Sequence, residues 1–82
     1  MEKIKLGIYE HFKGNRYKVL GVAKNSEASE QEFVVYQALY GEHDLWIRPL
    51  AMFLETVDKP EYKGPRFKYV GEWNVTIFHT TV

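Results

Sequence analysis

Phe33-Val34-Val35-Tyr36-Gln37-Ala38-Leu39-Tyr40 is the stretch that decides the fold of this 82-residue chain. It is rich in the aromatic and β-branched residues that favour strands. Both of its alternating faces carry apolar side chains, which is typical of a strand with neighbours on either side. The stretch therefore predicts a central strand of a small barrel or curled sheet.

Further strands are predicted on either side of this stretch. Leu6–Phe12 contains apolar residues and is predicted to be an entry strand, which the Lys13-Gly14-Asn15 turn signal ends. Arg16–Lys24 is predicted to be a strand with apolar residues on both faces, so its pattern does not assign the buried side. The polar run Asn25–Gln31 is expected to be a hairpin loop. Strands are also predicted at Leu45–Arg48, after the turn at residues 41–44, and at Arg66–Val70. Trp73, Val75 and Ile77 indicate a last strand.

One short helical segment interrupts the strands. Pro49 ends a strand and suits the first position of a helix. Leu50, Phe53, Leu54 and Val57 follow the spacing of one helical face, so one or two turns are expected. Lys59-Pro60 and Gly64-Pro65 then bracket an expected exposed loop. The pattern predicts a mainly β single domain over 1–82: an SH3-like barrel or strongly curled antiparallel sheet of five to six strands with one helical turn.

The chain must fold without covalent help, because it contains no cysteine. Aromatic residues make up 16% of it, and these large side chains must supply much of the buried surface. The N-terminus lacks the apolar run of a signal peptide, and no segment approaches the roughly 20 apolar residues that span a bilayer. We expect a cytoplasmic protein that does not engage membranes.

The charges balance overall but are unevenly distributed. The chain has 11 basic and 11 acidic residues. Basic residues dominate positions 1–24, whereas acidic residues dominate positions 25–62. A net charge of zero argues against strong non-specific binding of nucleic acid, which depends on neutralising phosphates.

Three blocks of sequence resemble one known family. They are Glu10-His11-Phe12-Lys13-Gly14-Asn15 with Tyr17 and Val19, then Val34–Gly41 with Leu45–Phe53, and finally Arg66–Val70. In this order they resemble the bacterial family called domain of unknown function 1653, over about residues 6–70. The resemblance implies a small cytoplasmic domain and brings no activity or catalytic residues with it. Residues 71–82 lie outside the resemblance.

Catalytic and metal-binding patterns are not found in the sequence. Ser26 and Ser29 lie in a polar run beside glutamates, unlike a nucleophile at a strand-to-helix turn. His11, His43 and His79 are far apart and lack metal-ligand spacing. The prediction is therefore a non-enzymatic protein without a metal or cofactor.

An aromatic group with one guanidinium is the candidate binding site. Tyr36, Gln37, Tyr40, Trp46 and Arg48 come from adjacent predicted strands, which brings their side chains within reach of each other. Such a surface suits a planar ligand, a nucleobase or an anionic group. Arg16 and Arg66, at strand starts, would join Arg48 on an anion-binding face.

Other readings of the same residues stay open. The aromatics could simply form the core, with Arg48 capping a carboxylate or carbonyl group. Gln37, among apolar neighbours, needs partners for its amide, of which backbone or water is the favoured kind. The sequence thus favours a ligand- or nucleic-acid-binding module. The alternative is a protein-interaction module, or a homo-oligomer without a ligand site, formed through Trp73, Ile77 and Phe78.

Overall fold

The computed structural model describes residues 4–73 of the chain. These residues form seven antiparallel strands and one helical turn, joined by short turns. The mainly β class is confirmed. In chain order the elements are β1 Gly7–His11, β2 Arg16–Asn25, β3 Ala28–Ala38, β4 Leu45–Pro49, α1 Leu50–Phe53, β5 Thr56–Lys59, β6 Tyr62–Pro65 and β7 Phe67–Gly71.

Five strands form one sheet in the order β4-β3-β2-β1-β7, and β5 and β6 form a separate hairpin. β3 lies between β4 and β2, as its two apolar faces predict. The turn between β1 and β2 closes through a bond from the Gly14 amide to the His11 carbonyl, 2.7 Å long. Gly14 has a φ of +111°, which a side chain would disfavour, so this turn needs glycine.

The polar run Asn25–Gln31 is not a loop, contrary to the sequence-based prediction. β2 and β3 continue into it, and only Ser26 and Glu27 separate them. The Asn25 side-chain oxygen accepts a bond from the Glu27 amide at 2.9 Å, which stabilises the tight turn. Polar side chains suit both faces here because most of the hairpin tip is exposed to water.

The helix is a single turn, and the region after it differs from prediction. α1 ends at Phe53, which is buried, whereas Leu54 is about half exposed. Val57 is buried, but it lies on strand β5 and not on a helical face. The predicted exposed loop between Lys59-Pro60 and Gly64-Pro65 is mostly the β5–β6 hairpin, which raises the strand count to seven. Of the predicted last strand, Trp73 is not in a strand, and Val75 and Ile77 lie outside the described residues.

The sheet curls strongly, yet it does not close into a barrel within residues 4–73. Phe67 on β7 lies three strands from Tyr36 on β3, about 14 Å away in a flat sheet. Their ring centroids are only 5.7 Å apart. The edge strands β4 and β7 are not paired with each other, so an SH3-like barrel is not confirmed. The curled-sheet alternative describes the fold better.

The core lies on the concave face of this sheet. Val19, Val34 and Phe53 are almost completely buried there, and Tyr9, Tyr36 and Phe67 complete the packing. The convex face is less covered: Val35 and Gln37 are half-buried, and Leu45 and Ile47 are exposed. No helix among the described residues is long and apolar enough to span a membrane.

Candidate functional site

The register of β3 and β4 gathers half of the predicted site on the concave face. Tyr36 pairs with Trp46, and Val34 pairs with Arg48, so Trp46 and Arg48 share the face of the buried Tyr36. Tyr40 follows β3 and reaches the same surface. We call this group, with two further aromatic residues, the aromatic–arginine cluster: Tyr17, Tyr36, Tyr40, Trp46, Arg48 and Phe67.

Arg48 lies at the centre of the cluster. Its Nε donates a hydrogen bond to the Tyr36 hydroxyl at 3.3 Å, and its guanidinium carbon lies 5.5 Å from the centroid of the Phe67 ring. No carboxylate among residues 4–73 forms an ion pair with Arg48. The guanidinium is thus held by aromatic residues, and its charge is available to an anion.

Two tyrosines form the outer part of the cluster. The hydroxyls of Tyr17 and Tyr40 are 2.8 Å apart, and the Tyr17 ring meets the Tyr36 and Phe67 rings edge to face. Burial, together with the hydrogen bond to Tyr40, raises the pKa of Tyr17 to about 12. Tyr40 is 43% exposed and Trp46 50% exposed, so both rings offer surface to a ligand.

The concave face is electropositive next to the cluster. Burial lowers the pKa of His11, and the nearby charges of Arg66, Arg48 and Lys13 lower it further. The His11 and Phe67 rings meet edge to face at 4.9 Å, which joins His11 to the cluster. Arg66 has an ion pair with Glu55 at 3.6 Å, but its buried Nε has no acceptor. Three basic residues, of which Arg66 is paired with Glu55, therefore lie near His11.

Two predicted site residues lie apart from the cluster. Gln37 is on the convex face, where its Nε2 donates to the His43 carbonyl at 3.1 Å. This confirms the expected backbone partner for the amide. Arg16 is exposed and pairs with Glu10 at 3.9 Å, a distance that contributes little in water. The structure thus separates Gln37 and Arg16 from Tyr36, Tyr40, Trp46 and Arg48.

Three residues of this surface were not predicted from the sequence: Tyr17, Phe67 and His11. Phe67 and His11 join the cluster only because the sheet curls and brings β7 and β1 near β3, whereas Tyr17 lies on β2, directly beside β3. One signal was present, since Tyr17 and Val19 alternate on one face of β2. That alternation could not say which strand would lie beside them.

Two clefts of the described part are lined by residues outside the cluster. A cleft of about 550 Å³ lies where Lys18 Nζ is 4.0 Å from the centroid of the Trp73 ring. A second of about 520 Å³ lies between Phe33 and Leu50. Within residues 4–73 no three His, Asp or Glu side chains gather in a way that could hold a metal ion.

Comparisons with known proteins point to a single family. The family model described as "Protein of unknown function (DUF1653)" matches residues 7–69. The chain is also similar to a crystal structure of a DUF1653 protein from Bordetella bronchiseptica, with 37% sequence identity and a TM-score of 0.78. The alignment covers 90% of this chain and 96% of that one. No curated protein matches the chain.

Proposed function

The chain belongs to the DUF1653 family of proteins of unknown function, and we propose that it is a binding module for small planar ligands that carry an anionic group. The observation that supports this most is the environment of Arg48. Its guanidinium contacts Tyr36 and Phe67 and has no ion pair with a carboxylate in the described part of the chain. The positive charge of Arg48 is therefore not neutralised by a carboxylate of residues 4–73.

The exposed rings beside Arg48 suit the planar part of the ligand. Trp46 and Tyr40 are about half exposed: Trp46 pairs with Tyr36, which accepts the bond from Arg48, and Tyr40 contacts Tyr17. Stacking of a planar ring on an aromatic side chain contributes about 1–3 kcal/mol in nucleobase recognition. The anionic group would lie at Arg48, near His11, where several positive charges already lower the pKa of the histidine. A mononucleotide has both features.

A long nucleic acid is less favoured by the charge of the chain. The formal net charge is zero, and binding to a polynucleotide backbone depends on many neutralised phosphates. The cluster offers one central guanidinium, which suits one or two anionic groups. We therefore propose the small ligand, and single-stranded RNA serves as a comparison in the test.

Tryptophan fluorescence can test this binding directly. The chain has two tryptophans, so the Trp73→Phe variant leaves Trp46 as the reporter. Titration with adenosine monophosphate at low salt should change the Trp46 emission and saturate. Inorganic phosphate alone should bind more weakly, because it cannot stack. A single-stranded oligonucleotide that binds far more tightly than the mononucleotide would replace the proposal with a nucleic-acid function.

Two arginine variants separate site binding from general charge. Arg48→Met should weaken mononucleotide binding roughly 10- to 100-fold, the equivalent of one hydrogen bond to a charged group. Arg16→Met removes the same charge from an exposed residue outside the cluster, so it should leave the affinity unchanged. Equal effects of the two substitutions would contradict the proposal, as would no fluorescence change in the parent chain.

The NMR titration of His11 gives an independent measure. An anion at Arg48 would offset the positive charges that lower the pKa of His11. Saturating mononucleotide should therefore raise that pKa. An unchanged His11 titration with bound ligand would place the ligand elsewhere on the protein.

A further inference from the structure

β4 is an edge of the sheet formed by residues 4–73, and two of its side chains, Leu45 and Ile47, are apolar and exposed. In the sheet order it pairs with β3 on one side, and no strand of residues 4–73 pairs with its other side. Leu45 and Ile47 are 63% and 64% exposed. Natural proteins protect edge strands with charges, bulges or covering segments, because an open edge pairs readily with another chain.

The hydrogen bonds to β3 show which backbone groups of β4 remain available. The Ala38 amide donates to the Asp44 carbonyl at 2.9 Å. Hydrogen-bonded and non-bonded pairs alternate in an antiparallel ladder, so Trp46 and Arg48 also direct their backbone groups toward β3. The amides and carbonyls of Leu45 and Ile47 therefore point outward.

We propose that a second copy of this chain pairs antiparallel with β4 across a two-fold axis at Trp46. In this register Leu45 of each copy lies opposite Ile47 of the other, and the two Trp46 residues face each other. Each outward amide of Leu45 and Ile47 then meets an outward carbonyl, which gives four hydrogen bonds and leaves none of these eight groups unpaired.

The side chains in this register are complementary as well. Leu45 and Ile47 form apolar pairs on the convex face, where they are now exposed. Trp46 pairs with Trp46, an aromatic pair of the kind that stabilises neighbouring strands. Asp44 of each copy lies opposite Arg48 of the other, so opposite charges face each other at both ends of the ladder.

A register with its two-fold axis at Ile47 forms fewer backbone hydrogen bonds. An axis at Ile47 would place Leu45 opposite Pro49, which has no amide hydrogen, and the Leu45 carbonyl would lack a donor. It would also place Arg48 opposite Trp46 and give Asp44 no basic partner. The register at Trp46 is therefore the one that the sequence of β4 favours. This pairing does not rest on the proposed ligand, but it brings Asp44 and Trp46 of the partner subunit to the Arg48 and Trp46 that the ligand would use, so the ligand and the second copy would compete for them.

Sedimentation velocity over a range of concentrations tests the pairing in the full chain. The parent chain should show a monomer–dimer equilibrium. Ile47→Lys should shift it to monomer, because a charge would replace the apolar contact at the edge. Val70→Lys is the matched control: Val70 is 43% exposed on β7, the opposite edge, and this variant should dimerise like the parent. A parent chain that stays monomeric at NMR concentrations would overturn the proposal.

Cysteine substitution tests the register, because the natural chain has no cysteine. Directly opposite residues of a non-bonded pair have Cα atoms about 4.5 Å apart, within the range that a disulfide bridges. Under mild oxidation Trp46→Cys should form a covalent dimer, and Ile47→Cys should not. A mixture of Leu45→Cys and Ile47→Cys chains should form a mixed dimer. Self-linking by Ile47→Cys with none by Trp46→Cys would overturn the register.

Discussion

The rings of Phe53 and Phe67 lie parallel, with 4.1 Å between their centroids and 4° between their planes. Phe53 comes from the one-turn helix and Phe67 from the first residue of β7. A single helical turn is not stable alone, so tertiary contacts must hold it. Phe53 also meets Tyr9 and Tyr36 edge to face. It thereby covers the part of the concave face that the aromatic–arginine cluster does not cover.

Phe53→Ala should therefore lower the free energy of unfolding by about 3–5 kcal/mol, the usual loss for a buried phenylalanine. Trp46→Ala removes a larger ring that is half exposed, so its cost should be smaller. Urea unfolding of both variants at one protein concentration measures the difference. A greater loss for Trp46→Ala would show that the indole and not Phe53 anchors the core.

Gly7 is a position where any side chain would strain the fold. Its φ is +139°, and a Cβ atom there would lie 2.6 Å from the Gly71 carbonyl oxygen. Gly7→Ala should destabilise the protein by at least about 1–3 kcal/mol, with loosened pairing of β1 and β7. Gly21→Ala is the control, since its Cβ would meet open space. In thermal unfolding, Gly7→Ala should melt at a clearly lower temperature than Gly21→Ala. Similar melting temperatures would count against backbone strain at position 7.

Acidification should destabilise the fold through His11. The folded protein lowers the pKa of His11 below its usual 6.5, so the unfolded chain binds the proton more readily. The free energy of unfolding should fall as the pH drops below about 6.5. Protonation would also remove the Nδ1 lone pair that accepts the Lys13 amide at 3.1 Å.

Two substitutions isolate this effect of His11. His11→Asn keeps a side-chain acceptor for the turn and should remove this part of the pH dependence. His43→Asn changes an exposed histidine and should retain the dependence. Urea unfolding between pH 5 and pH 8 makes the comparison. An unchanged acid dependence in His11→Asn would assign the effect to other groups.

Alkaline pH should destabilise the protein through Tyr17. Its pKa is about 12 in the folded state and 10.0 without the fold, so the folded state retains the proton longer. The free energy of unfolding should decrease as the pH rises from about 10 toward 12. Tyr17→Phe removes this alkaline pH dependence together with the hydrogen bond to Tyr40. Loss of that bond should lower the free energy of unfolding by about 0.5–1.5 kcal/mol near neutral pH. An ordinary ionisation of Tyr17 in an absorbance titration would contradict the prediction.

The hairpin Thr56–Pro65 shows where local patterns fail. Its charged residues and two prolines are typical of a loop, and they predicted a loop for most of it. It forms strands because Val57 is buried, the Tyr62 hydroxyl bonds the Pro65 carbonyl at 2.7 Å, and the Tyr62 ring stacks on Phe12. Only the Tyr62–Pro65 bond joins residues that lie close along the chain, whereas the stacking of Tyr62 on Phe12 depends on the whole fold.

The sequence by itself determined the positions of most strands in the sheet. Alternating apolar residues and turn signals at Gly14 and Pro49 depend on neighbours along the chain, so they can be read locally. Only the tertiary structure decided which candidate residues meet. A strand has two faces, and its register with the next strand selects one of them. That choice placed Trp46 and Arg48 with Tyr36, placed Gln37 on the opposite face, and brought Phe67 across the curled sheet.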